Sequence, residues 1–143
     1  MIVPDVNLLL YAYDTSSQFN ERAKEWWEAC LSGTETVGLT YPVIFGYLRI
    51  GTSKRVFLHP LTIDEAMNHI DSWRNRGIVR MLLPDHDHVT RVARLLREAG
   101  SEGGNLVGDA QIASIAQTNR AVVHTADYDF RRFPEVDTFF PLE

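Results

Sequence analysis

The chain is poor in the residues that announce several common chemistries. Of its 143 residues only one, Cys30, is a cysteine. That excludes an internal disulfide and argues against a cysteine-built zinc site. In "RAKEWWEACL" Cys30 reads as a small buried hydrophobe. No apolar run is long enough to span a bilayer, and no basic segment leads into an apolar one at the N-terminus. The expectation is therefore no signal peptide, no membrane anchor and a cytoplasmic protein. No glycine-rich phosphate loop is present, since "SEGGN" lacks the lysine and the preceding strand that such a loop requires. Ser101 has no nucleophile-elbow context. The histidines lack the helical i, i+4 pairing of a zinc protease. His86 and His88 bracket Asp87, His59 precedes Pro60, His69 sits on a helix edge, and His124 ends a core strand as a satisfied core histidine. Positive charge is also scarce, with a net charge of −5 that argues against a protein coating nucleic acid through its whole surface. The basic residues cluster instead as Lys54 and Arg55, as Arg74, Arg76 and Arg80, and as Arg91, Arg94 and Arg97. The last three have helical spacing and predict one basic stripe.

What is present is an ordinary globular composition, 45% apolar and 23% charged, in a length that suits one domain over residues 1–143. The pattern alternates short apolar strands with helices. "MIVPD" predicts a strand and "VNLLLYAY" a helix. "SSQFNERAKEWWEACLSG" predicts a helix that serines can cap and Gly33 stops. "ETVGL" predicts a strand, and "YPVIFGYLRIGTS" a helix with Pro42 in its first turn. "TIDEAMNHIDSWRNRG" opens with a capping box of Thr62 and Glu65 and closes on Gly77. "IVRMLLP" predicts a strand, "DHDHVTRVARLLREAG" a helix ending at Gly100, "SEGGN" a flexible turn, "LVGDAQIASIAQTN" a helix, and "AVVHTAD" a strand. Such alternation implies an α/β fold with a short, mainly parallel central sheet covered on both faces.

In that architecture ligands bind beyond the carboxyl ends of the strands, which makes the acids informative. Asp5 ends the first strand inside an apolar stretch, where an unpaired carboxylate costs several kcal/mol, on the order of the penalty for burying a lone charge. Asp127 and Asp129 follow the strand "AVVHT". Asp109 lies in the apolar arc of its helix, about one turn from a start that favours an anion. Each acid alone could cap a loop or pair with an arginine. Several at one crevice repel one another and raise one another's pKa, so the cluster predicts a shared cation. Oxygen-only ligands suit Mg²⁺ or Mn²⁺.

The ordered set "PDVNLLLYA", "YLRIGTSKRVF", "GNLVGDAQIAS", "HTADYDFRRFPEV" and "PL" resembles the PIN-domain ribonucleases of the VapC toxin type, closest to their mycobacterial-style group. The resemblance covers essentially the whole chain. It implies a PIN-like α/β/α sandwich and metal-assisted hydrolysis of RNA phosphodiesters. It also implies a homodimer and a cognate VapB-like antitoxin whose arm fills the acidic crevice, with no membrane partner. By the same resemblance Asp5 and Asp109 contact Mg²⁺ or Mn²⁺, and Asp127 and Asp129 complete the catalytic acids. Asn7 supports Asp5, and Thr125 is the small hydroxyl partner of Asp127. A further family acid falls at Gly46, three residues before Arg49, where this chain has none. Two other classes stay open on the residues. A metal-free interaction module would explain Gly46. A phosphoacceptor receiver domain would need paired acids after the first strand and a lysine after the last, and has neither.

Overall fold

A computed structural model describes residues 1–100 and 103–143. Ser101 and Glu102, in the expected "SEGGN" turn, lie outside the described residues. The elements follow the order β1 (Ile2–Pro4), α1 (Val6–Tyr13), α2 (Asn20–Ser32), β2 (Val37–Thr40), α3 (Tyr41–Gly51), α4 (Ile63–Arg74), β3 (Val79–Leu82), α5 (His88–Glu98), α6 (Leu106–Thr118) and β4 (Val122–His124). A 3-10 helix over Tyr128–Arg132 and a final strand, β5 (Thr138–Phe139), close the chain. Side-chain caps start α1, α3 and α4, whereas α2, α5 and α6 have none. Thr40 caps α3 with Pro42 in its first turn, and Thr62 and Glu65 form the expected capping box at α4. The serines before α2 do not cap it: Phe19 occupies the N-cap without a side-chain bond, and the Ser17 hydroxyl accepts from the Phe19 amide instead. Helices α4 and α5 end at Arg74 and Glu98, before the expected Gly77 and Gly100.

The strands form one five-stranded sheet, entirely parallel, in the order β3-β2-β1-β4-β5. Every residue of β1 and β2 is buried, so both faces of the central strands are covered. This is the α/β layering that the strand–helix alternation predicts. Gly38 in β2 is needed for close packing: a Cβ there would lie 2.4 Å from Leu82 Cδ1. The core is built on Leu8 and Leu9 of α1, Tyr47, Trp73, Phe130 and Phe133, all buried. Trp27 and Tyr47 meet Trp73 edge-on, at ring separations of 5.7 and 4.8 Å. No helix among the described residues is long and apolar enough to cross a membrane.

The chain runs outward from β1 to β3 and then returns to place β4 on the other side of β1. The order therefore reverses between β1 and β4, the topological switch point where an open parallel sheet leaves a crevice. Asp5 follows β1, and Thr125 to Asp129 follow β4. The fold thus delivers these residues to one place before any side chain is considered.

Candidate functional site

Asp5 is 3% exposed, and both of its oxygens are used. Oδ1 accepts from the Val6 amide at 2.7 Å, as the N-cap of α1, and Oδ2 accepts from the Thr125 hydroxyl at 2.7 Å. Its own amide donates to the His124 carbonyl at 2.8 Å, continuing the β1–β4 ladder. Burial pushes the Asp5 carboxyl up to about 6; the bonds from Thr125 and Val6 oppose this, and the charge of Asp127 adds to it. Two good hydrogen bonds therefore do not fully offset the cost of burying this carboxylate.

Thr125 is the hub of the β4 side. Its hydroxyl donates to Asp5 and accepts from the Asp127 amide at 2.9 Å. Asp127 Oδ1 in turn accepts from the Asp129 amide at 2.9 Å, which starts the 3-10 helix. Asn7 Oδ1 accepts from the Ala126 amide at 3.4 Å, tying the start of α1 to the same turn. The start of the segment, Thr125 and Ala126, is thus tied to Asp5 and Asn7 at the start of α1, and Asp127 and Asp129 are held by bonds within the turn.

Asp109 stands in the first turn of α6, half-buried. Burial pushes its carboxyl up to about 7, and repulsion from Asp5, Asp127 and Asp129 adds to the shift. Asp109 therefore feels the charge of all three other predicted acids. Among the described residues no three His, Cys, Asp or Glu side chains converge closely enough to hold an ion by themselves. The donor set still fits Mg²⁺ or Mn²⁺, because such ions commonly take one or two carboxylates and complete their shell with water and phosphate oxygens.

A PIN domain model matches residues 2–136. This chain belongs to the PIN-domain family. Within that family it is of the VapC kind. It is 37% identical over 142 residues to Ribonuclease VapC33 of Mycobacterium tuberculosis (strain ATCC 25618 / H37Rv), covering 99% of each chain. It is 32% identical over 136 residues to Ribonuclease VapC37 of the same strain, covering 95% of this chain and 94% of that one. Among solved structures, a toxin–antitoxin complex from Klebsiella pneumoniae superposes with a TM-score of 0.68 over 99% of this chain and 98% of that one, at 18% identity. At that identity the likeness shows the fold alone.

Other residues of this PIN domain fall outside the cluster. His124 Nδ1 accepts from the Trp26 indole at 2.9 Å, and burial pushes its pKa down to about 4, so it is a neutral, half-buried histidine at the edge of the core. His69 Nδ1 shares a hydrogen bond with the Tyr47 hydroxyl at 2.7 Å and stacks on Tyr13. His88 meets the Ser114 hydroxyl at 2.9 Å. The basic stripe on α5 is broken, because Arg91 turns to Asp85 in a two-pronged pair at 2.9 and 3.1 Å and to Ser114. Gly46 is buried against α1, and a Cβ there would lie 3.5 Å from Val6, the residue after Asp5. The family resemblance pairs Thr125 with Asp127; that the same hydroxyl reaches Asp5 is a contact that only the β1–β4 pairing creates. A cavity of about 330 Å³ between the ends of α1 and α3 has Asp14 on its wall but none of Asp5, Asp109, Asp127 and Asp129. A second, of about 260 Å³, has Thr125 on its wall.

Proposed function

We propose that this PIN domain is a metal-dependent endoribonuclease and the toxin of a toxin–antitoxin pair. The observation that carries this reading is the mutual repulsion of Asp5, Asp109, Asp127 and Asp129, which adds to burial in pushing the Asp5 and Asp109 carboxyls up to about 6 and 7. A site built only for stability gains nothing from that repulsion. The names of the relatives VapC33 and VapC37, both ribonucleases, support RNA as the substrate class.

Asp5 and Asp109 would hold Mg²⁺ or Mn²⁺. When bound, such an ion stabilises negative charge on phosphate oxygens and makes a water a better nucleophile. Thr125 fixes the rotamer of Asp5 by its hydrogen bond, and Asn7 holds the turn that presents Asp127. Asp127 and Asp129 orient a water beside the phosphate and accept its proton. The partners of this reading are an RNA chosen by local shape, a second copy of the chain and a VapB-like antitoxin in the cytoplasm. An arginine from the antitoxin's arm would satisfy the acids in place of the ion.

The second reading is a metal-free interaction module, favoured by Gly46 alone. Sequencing RNA ends after induced expression of wild type and Asp5→Asn separates the two. The nuclease reading requires new ends at defined positions that vanish in the variant. Identical RNA ends in both strains would leave the interaction module standing.

A further inference from the structure

The smaller cavity is reached from the acids through Thr125 and has four aromatic rings in its wall. Tyr11 and Phe19 form one side, with ring centroids 5.1 Å apart and tilted by 49°. Tyr128 and Phe140 form another, stacked at 4.9 Å and 29°. Thr125, the residue that donates to Asp5, is part of the same wall. Tyr128 also stands between the acids Asp127 and Asp129 in sequence, so the site and the slot share one short turn. The Arg131 guanidinium lies 4.5 Å from the Tyr128 ring centre and 4.6 Å from that of Phe140. The Tyr128 hydroxyl donates to the Glu143 carboxylate at the rim.

We propose that this slot takes one unstacked base of an RNA, next to the phosphate presented to the acids. The inference rests on the ribonuclease reading above and extends it to substrate recognition. Each part of the slot has chemistry suited to that ligand. Flat aromatic walls stack on bases and accept any base face, which is how proteins read splayed-out single strands. The volume, about 260 Å³, suits one planar ring system rather than an extended ligand. Glu143 accepts from Tyr128 with Oε1, which leaves Oε2 as an acceptor for the exocyclic amino group of a base, and so a means of choosing among bases. Arg131 places a cation beside the slot in a chain of net charge −5, where a phosphodiester approaching several carboxylates needs one. The Thr125 hydroxyl is already committed to Asp5 and Asp127, so it fixes the distance between slot and acids rather than binding the base.

The test uses the full chain with Mn²⁺ and a pool of single-stranded RNAs of randomised sequence, with the cut ends sequenced. Wild type should show a base preference at one fixed position beside the cut, and an abasic nucleotide there should lower kcat/KM by at least about fivefold. Phe140→Leu keeps apolar bulk and loses the ring face, and Tyr128→Ala changes an exposed residue, so folding is checked in both by melting temperature. In either folded variant the preference should flatten and the abasic penalty should shrink to about twofold or less. Equal abasic penalties in wild type and both variants would overturn the slot while leaving the nuclease reading intact. Wild type cutting no RNA at all would remove both. Variants that keep the abasic penalty but lose affinity for an arginine-bearing antitoxin peptide would assign the slot to the antitoxin and overturn the proposal.

Discussion

The Thr125 hydroxyl donates to Asp5 Oδ2 at 2.7 Å, joining residues 120 apart in sequence across the β1–β4 seam. Both residues are buried, and the same hydroxyl accepts from the Asp127 amide. One oxygen therefore sets the rotamer of the most buried acid and the turn that carries two others.

Thr125→Val keeps the shape and removes both bonds. It should destabilise the fold by about 1–3 kcal/mol, since a buried carboxylate is left short of a donor. Thr125→Ser retains the hydroxyl and should lose less than about 1 kcal/mol, from the missing methyl. Urea midpoints at constant slope measure both. A valine variant as stable as wild type would show that the bond contributes nothing net.

Stability without divalent ions should fall as pH rises from about 4 to 7. The Asp5 and Asp109 carboxyls have folded values of about 6 and 7, above the ordinary 3.8. Between those limits the folded protein binds more protons than the unfolded chain, so raising the pH favours unfolding. The contribution is full below the ordinary value and gone above the folded ones. Asp109→Asn removes a repelled charge and should melt higher than wild type at pH 7.5 without ions, by about 3–6 °C after allowance for solvent screening of a half-buried group. Mg²⁺ or Mn²⁺ should raise the melting temperature of wild type and do little for the variant, because an ion bound only by the folded state stabilises it. A variant with the full ion-induced shift would place the ion elsewhere.

Much of this site is legible from the chain because it follows from topology. Asp5 after an apolar strand, Asp109 inside an apolar helix face, and Asp127 and Asp129 after "AVVHT" each break a local hydrophobic pattern; the β1–β4 pairing gathers Asp5, Asp127 and Asp129, and α6 brings Asp109 near enough to feel their charge. The helices and longer strands are legible for the same reason, through periodicity and caps such as Thr62 with Glu65. Strand β5 is not, since two residues, Thr138 and Phe139, carry no period and exist as a strand only by pairing with Val123 and His124. Arg91 shows the other limit: helical spacing places it with Arg94 and Arg97, but its ion pair with Asp85 is a tertiary choice that spacing does not encode. The aromatic slot is equally hidden, because Tyr11 and Phe19 meet Tyr128 and Phe140 only through the fold.

An arginine-bearing peptide from the C-terminal arm of the antitoxin should bind at the acids and block cleavage. Asp5→Asn and Asp127→Asn should each weaken it about tenfold or more, because a hydrogen bond between two charged groups exceeds one to a neutral amide. Calorimetric titration with the peptide and with an arginine-to-alanine form measures the effect. Equal affinity for wild type and both variants would mean that the arm stays outside the crevice.

Gly46 is the place where this chain departs from the acid pattern of the family it resembles. A glycine inside a helix costs up to about 1 kcal/mol relative to alanine, which calls for a reason. Close backbone packing by another element is not that reason: the nearest atoms to a Cβ at Gly46 would be those of the Val6 side chain, at 3.5 Å or more, ordinary contact distance. Residue 46 also lies beside the residue that follows Asp5, so a longer acidic side chain there would join the existing cluster. Gly46→Glu should therefore fold. Without ions it should gain helix propensity but add a carboxylate to those already repelling one another, leaving its melting temperature close to or below that of wild type. With Mn²⁺ the order should reverse, with tighter binding, a larger rise in melting temperature and faster cleavage, since the ion gains an anionic partner. Gly46→Ala separates the two effects by supplying the propensity without the charge, and it should raise stability equally with and without the ion. A well-folded glutamate variant with wild-type metal affinity and activity would show that position 46 does not face the acids.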